Sequence, residues 1–167
     1  RDLGIDPALY LARVIHNDLT VSNASAWHWW IAISPYNYKD GLIYVDKEKE
    51  DGAYYESKML WALGNYSKFI RPGYQRIAVE IDNQKQQSPD LLVSAYKAKD
   101  EDEVVLVIVN SGIKEVKVNF SGDGNSPTIK AAYITSKDQD LKSAEVALEG
   151  KYFSIPARSI VTMLTEK

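Results

Sequence analysis

The chain has no cysteine among its 167 residues. Disulfides, thiolate metal sites and cysteine nucleophiles are therefore excluded. It also lacks a basic excess, with 20 Lys and Arg against 23 Asp and Glu and a net charge of −3. Domains that read nucleic-acid phosphates carry the opposite balance, so nucleic acid is not an expected partner. No run approaches the roughly 20 apolar residues of a membrane span. Histidine occurs only at His16 and His28, without HExxH spacing. With no cysteine to help, no zinc site is expected, nor any other metal or cofactor. No repeat and no low-complexity tract is present. The first residue is Arg1 rather than methionine, with neither a basic n-region nor an apolar h-region after it.

What the chain does have is apolar and aromatic content. Of its residues 45% are apolar, enough for a sizeable core. Twelve of the eighteen aromatics lie between Trp27 and Tyr74, including all 4 tryptophans. Three of these crowd into Trp27-His28-Trp29-Trp30. Core packing is the ordinary role of such rings. Adjacent residues of an extended chain point to opposite sides, however, so the three indoles cannot all fill one core.

Residues 6–20 have helical spacing, with Asp6 as the expected N-cap, Pro7 in the first turn and Ala8, Ala12, Ile15 and Leu19 as the apolar stripe. Residues 24–34 read as a buried strand. A long loop, 35–52, follows, and residues 53–70 read as a second helix with Tyr55, Met59, Leu63, Tyr66 and Ile70 inward. Arg71-Pro72-Gly73 stops it. Beyond Gly73 the period becomes two. Strands are expected near 75–82, 91–98, 103–110, 114–120, 128–135, 143–148, 151–155 and 158–165, with turns at Asp100–Glu103 and Gly122–Asn125. That is the pattern of an antiparallel β-sandwich or barrel. The expected class is thus mainly β, with a helix–strand–helix segment (1–72) ahead of a β-sandwich (73–167). A lone strand between two helices has no partner for its backbone groups. The α-β-α order is that of a parallel sheet or (β/α) barrel, so the first segment is expected to be a remnant of one and the chain a piece of something larger.

The strand Ala26-Trp27-His28-Trp29-Trp30, the loop end Asp40-Gly41-Leu42-Ile43-Tyr44-Val45, the helix end Gly64-Asn65-Tyr66-Ser67-Lys68-Phe69-Ile70-Arg71-Pro72-Gly73 and the tail Ile155-Pro156-Ala157-Arg158-Ser159-Ile160-Val161-Thr162 resemble the C-terminal part of glycoside hydrolase family 30. That family includes glucosylceramidases, β-1,6-galactanases, β-1,6-glucanases and xylanases. The resemblance implies a (β/α)8 TIM barrel with a side β-sandwich. Residues 6–22 would be the seventh barrel helix, 24–34 the eighth strand and 53–71 the eighth helix. It also implies retaining hydrolysis by two glutamates, one after the fourth strand and one on the seventh, both upstream of Arg1. A retaining pair stands about 5–5.5 Å apart, and no pair in this chain is placed to supply it. No catalytic residue is therefore assigned here.

Barrel active sites lie at the C-terminal ends of the strands and in the loops that follow. For this chain that means Trp29, Trp30 and the loop from Ser34 to Tyr44. By resemblance to glucosylceramidase-type members, Trp30 matches a tryptophan lining the subsite of the sugar to be cleaved. An indole face suits the C–H face of a pyranose; barrel core is the competing account. His28, on the same expected face, is a candidate contact, although the family places other residue types there and a buried, hydrogen-bonded histidine accounts for it equally. Tyr36, Asn37 and Tyr38 are candidates for stacking and polar contacts, with ordinary loop packing as the alternative. Glu48, Glu50 and Asp51 alternate with lysines and read as a solvated run. The triplets beginning at Asn23, Asn65 and Asn119 match the glycosylation pattern, but such triplets arise often by chance.

Two functions follow. One is the C-terminal part of a retaining glycosidase acting on β-linked glycans, β-1,6-galactan-like or glucosyl, itself inactive. Its partners would be the carbohydrate and the rest of its own barrel, and it would be secreted, periplasmic or at the cell surface by analogy. The other is a carbohydrate-binding or structural β-sandwich. It is disfavoured because the β part has no tryptophan.

Overall fold

The computed structural model describes residues 1–81, 90–99, 102–121, 127–144, 148–149 and 152–166. The first helix, α1 (Ile5–Thr20), buries Ala8, Leu9, Leu11, Ala12, Ile15 and His16. Its N-cap is Gly4 and not Asp6. The Gly4 N–H donates to Asp2 Oδ1 at 2.9 Å, which moves the helix start one residue ahead of Asp6. Asp6 instead lies in the first turn, where a carboxylate suits the positive end of the helix, and pairs with Arg158.

The expected strand over 24–34 shrinks to β1 (Ile33–Ser34). Among the described residues no strand lies beside 24–30, and an extended chain without a ladder partner is not a strand. β2 (Ile43–Val45) runs parallel to β1 and antiparallel to β3 (Tyr54–Glu56). The expected helix over 53–70 therefore starts late, because residues 54–56 pair with β2. Ser57 makes the change: its N–H donates to Leu42 O at 2.9 Å and its hydroxyl reaches Gly41 O and Leu42 O at 3.0 Å. The second helix, α2, is Lys58–Ser67. Met59 and Tyr66 are buried as expected, Leu63 and Ile70 are half-buried, and Tyr55 is exposed on β3 rather than part of the helix stripe.

The rest is antiparallel β. β4 (Tyr74–Ile77), β5 (Leu91–Ala98), β6 (Val104–Asn110), β8 (Thr128–Thr135), β9 (Lys142–Ala144) and β12 (Ser159–Glu166) form a six-stranded sheet in the order β4-β5-β6-β12-β8-β9. β7 (Val116–Val118), β10 (Leu148–Glu149) and β11 (Tyr152–Ile155) form a three-stranded one. The two make a sandwich, as expected. The single strand expected over 143–148 is two, β9 and β10. Residues 145–147, the Gly122–Asn125 turn and Asp100–Glu101 lie outside the described residues.

The large sheet is covered on both faces. Val105, Val107, Val109 and Ile160 meet α1 and α2, while Leu106, Ile108, Val161 and Met163 meet Phe153 and Ile155 of the small sheet. That explains the unbroken apolar run of β6: with helices on one side and a sheet on the other, alternation has no solvent side to mark. Each fully buried valine contributes about 1.5–3 kcal/mol. Polar side chains fix the helix layer on the sheet. Asn65 of α2, fully buried, donates from Nδ2 to Thr162 Oγ1 at 2.9 Å and accepts at Oδ1 from Thr135 Oγ1 at 2.6 Å. Lys58 pairs with Asp140 at 2.6 Å.

Candidate functional site

The aromatic segment crosses the helix layer with its side chains sorted two ways. Trp27 and Trp29, two residues apart, stack with ring centroids 5.9 Å apart and planes 11° apart. Both are half-buried against the helix-side core. Each indole N–H is used: Trp27 Nε1 donates to Asp18 Oδ2 at 2.8 Å and Trp29 Nε1 to Asp40 O at 2.7 Å. Trp30 points the other way and is 79% exposed. The peptide between Trp30 and Ile31 is cis. The ring of Trp30 makes no ring–ring contact among the described residues. His28 is also exposed.

The loop after β1 is pinned at its base and open at its tip. Ile31 N–H donates to Asp40 O, Leu42 N–H to Ile31 O and Ile43 N–H to Ala32 O, at 2.9–3.2 Å. Tyr44 is buried, and its hydroxyl donates to Tyr38 O at 2.6 Å while accepting from Gly41 N–H at 3.1 Å. Gly41 is required at this closure: a Cβ there would lie 2.9 Å from Ser34 Cβ and from the Tyr44 ring. With the backbone held this way, Tyr36 and Tyr38 project outward, 56% and 66% exposed, with ring centroids 6.2 Å apart and planes tilted by 37°. Asn37 stands exposed between them, its carbonyl accepting from the Arg1 ammonium at 3.3 Å.

Of the six candidate residues, then, Tyr36 and Tyr38 are side by side with Asn37 between them. Trp30 and His28 are exposed on the neighbouring segment, and Trp29 is packing. Sequence reasoning missed three exposed side chains. Lys47 Nζ, read as part of a solvated run, sits 4.9 Å from the Tyr36 ring centroid in a cation–π contact. Tyr54 and Tyr55 are exposed on β3. The signal available for these two was Ser57, a good N-cap residue that moves the helix start past both. Tyr54 and Trp61 also line a cleft of about 400 Å³ walled by Glu56, Lys58 and Asp140. The exposed surface can offer π faces, hydroxyl and amide groups and cationic side chains, which suits binding of a polar ligand with apolar faces.

Comparison with known proteins agrees with the architecture. Residues 1–44 match the profile of O-Glycosyl hydrolase family 30, and residues 73–163 that of the Glycosyl hydrolase family 30 beta sandwich domain. The glucuronoxylanase XynC of Bacillus subtilis (strain 168) is 30% identical over 163 residues, covering 96% of this chain and 35% of its own. The mouse (Mus musculus) lysosomal acid glucosylceramidase is 33% identical over 100 residues, 56% of this chain and 18% of its own. A conserved exported protein from Bacteroides fragilis has a solved structure that superposes with a TM-score of 0.81 at 33% identity, over 96% of this chain and 33% of that one. The chain thus spans about a third of the length of the curated glucuronoxylanase and of this solved structure. With its sandwich matched over nearly its whole length, the chain belongs to glycoside hydrolase family 30, as the C-terminal region of such a hydrolase.

Proposed function

We propose that the chain serves a retaining glycosidase acting on β-linked glycans. Residues 1–72 would be the last α-β-α part of its (β/α)8 barrel and 73–167 its side sandwich. The observation that carries this reading is Trp30: a large apolar side chain left 79% exposed on a segment whose other tryptophans are packed and hydrogen-bonded, with two exposed tyrosines on the loop that follows. An exposed indole suits a pyranose, stacking on its C–H face while polar residues of the following loop would meet its hydroxyls. Tyr36, Asn37, Tyr38 and His28 would supply those contacts, and Trp29 would position the segment by packing beneath it. The sandwich braces the helix layer through Asn65 and Lys58. The two catalytic carboxylates come from the rest of the barrel, so the 167-residue chain alone hydrolyses nothing.

The relatives support glycan hydrolysis as the activity of the whole protein. Xylan-, glucosyl- and β-1,6-galactan-type substrates all remain within this reading, because loops from the other strands choose among them. The exported Bacteroides protein favours action outside the cytoplasm. No helix among the described residues is long and apolar enough to cross a membrane.

The test is Trp30→Ala in an enzyme containing the whole barrel. Losing one stacking face should lower kcat/KM by about 10- to 100-fold. The unfolding midpoint should hardly move, because the ring is exposed. An unchanged kcat/KM would refute the assignment. Release of sugar from any β-linked glycan by the 167-residue chain alone would refute its inactivity. A self-standing sugar-binding sandwich is not favoured: Tyr96 and Phe153 are buried, Phe120 packs on Phe153 with ring centroids 5.6 Å apart, and Tyr133 packs on Phe69 at 4.6 Å.

A further inference from the structure

Away from the aromatic surface, three buried polar groups gather in one small region: His16 Nδ1, which has no hydrogen-bond partner, and the Ser94 and Tyr96 hydroxyls, which have none beyond each other. Their side chains come from two elements. His16 is on the inward face of α1, while Ser94 and Tyr96 are two apart on β5 and share a face of the strand. All three residues are at least nine-tenths buried. Unpaired buried donors are costly and uncommon, and several together call for an occupant.

The space beside them is real. A cavity of about 260 Å³ is lined by His16 and Thr20 of α1, Arg76 of β4 and Ser94 of β5, with Ile77 and Val79 forming an apolar wall. Arg76 lies directly across the ladder from Tyr96. Its guanidinium donates to Asn23 Oδ1 at 2.8 Å and has no carboxylate partner among the described residues. Its charge reaches both titratable neighbours: burial first and Arg76 second hold His16 below its ordinary pKa. Tyr96 is pushed up by burial, while its side-chain hydrogen bond with Ser94 and the charge of Arg76 oppose that rise. Thr20 is already engaged, its hydroxyl donating to His16 O at 2.7 Å.

This donor set selects an occupant. Among the described residues, no acidic side chain and no aromatic ring lines the cavity, so these offer nothing to a cation and no stacking face to a sugar. It offers a guanidinium with no carboxylate partner among the described residues, the Ser94 hydroxyl and an imidazole nitrogen. The volume well exceeds the roughly 30 Å³ share of one water. We propose that this cavity, at the seam between α1 and the edge of the large sheet, binds a small oxyanion of carboxylate or phosphate type through Arg76, Ser94 and His16. A bidentate guanidinium contact would supply most of the hold, and the ligand would tie α1 to β4 and β5. The site stands independently of the glycan reading.

The test is titration of the 167-residue chain with sodium phosphate and, separately, sodium acetate, at ionic strength held constant with chloride. The readouts are the His16 ring and Arg76 Nε–H resonances, together with thermal unfolding. The expected result is saturable shifts at both residues and a rise in Tm of about 5–10 °C at a hundredfold excess over Kd. Saturation by one anion only would name the group preferred, phosphate or carboxylate, and either supports the proposal. Arg76→Gln, a change at an exposed side chain that leaves the core intact, should abolish both effects, and Ser94→Ala should weaken them about tenfold. Should Ser94→Ala fail to fold, the Arg76→Gln result still decides. No saturable shift with either anion would mean that the cavity holds water only and would overturn the proposal. So would shifts that persist unchanged in Arg76→Gln.

Discussion

Replacing Asn65 tests how the helix layer is fastened to the sandwich. Its side chain is fully buried and makes two good hydrogen bonds, to Thr162 at 2.9 Å and from Thr135 at 2.6 Å. Thr162 also donates to the Asn65 backbone carbonyl at 2.7 Å, a bond that survives truncation. Asn65→Ala therefore removes two hydrogen bonds worth about 1 kcal/mol each. It also strands the Thr135 hydroxyl, which is itself fully buried, at a further 1–3 kcal/mol or so. The expected loss is about 3–5 kcal/mol, a large share of a typical 5–15 kcal/mol stability. Urea unfolding of the chain should show a lower midpoint with an unchanged m value. A loss below about 1 kcal/mol would refute the reasoning.

Asn65→Asp sharpens the test because it keeps the shape and the acceptor for Thr135. Burial favours the neutral acid, so the folded-state pKa of the new carboxyl should lie above its unfolded value of about 3.9. The folded state then binds more protons than the unfolded state in the window above that value. Stability falls as pH rises through it, until the folded carboxyl ionises. This variant should be closest to the parent near pH 4 and progressively worse toward neutrality. A deficit independent of pH would show that the site is wetter than the structure indicates.

Two further outcomes are expected. Gly41→Ala places a methyl 2.9 Å from Ser34 Cβ and the Tyr44 ring, so it should cost about 1–3 kcal/mol in urea unfolding and loosen the loop carrying Tyr36 and Tyr38. His16, buried and held below its ordinary pKa by burial and by Arg76, takes up a proton more readily when unfolded. Stability should therefore drop as pH falls below about 6.5. His16→Gln should flatten that part of the pH profile, and an unchanged slope would count against the burial of His16.

The sandwich was legible because its strands carry their own signals. β5 and β8 fall on the expected 91–98 and 128–135, where apolar residues and turn residues mark both ends. The helix of 53–70 was less legible. Tyr54 and Tyr55 are compatible with a helix or a strand, and the choice was made by β2, a partner some ten residues upstream. Likewise Asp6 is a good cap by residue type, yet Asp2 and Gly4 close the turn before it. His16 looked unremarkable because it stands beside Ile15 on the inward face of α1, and only the strands beneath it show what it meets.

The aromatic segment shows where local reading stops. Being a strand is a property of a chain together with its neighbour, since the ladder supplies the partners for N–H and C=O. Residues 24–30 have no such neighbour among the described residues. Side-chain alternation needs no ladder, only an extended backbone, and here it survives: Trp27 and Trp29 share one side and Trp30 takes the other. Three close tryptophans cannot share one core on alternation alone, whether or not the segment is a strand. The same geometry gives the segment its proposed role. Two indoles anchored through Asp18 and Asp40 hold the backbone still, and the residue after them must face outward. A Trp29→Ala variant should therefore weaken the action of Trp30 without touching its ring, raising KM in a whole-barrel enzyme while Trp29→Phe, which keeps the packing, restores most of it. Equal KM values for Trp29→Ala and the parent would break the link between the buried stack and the exposed indole.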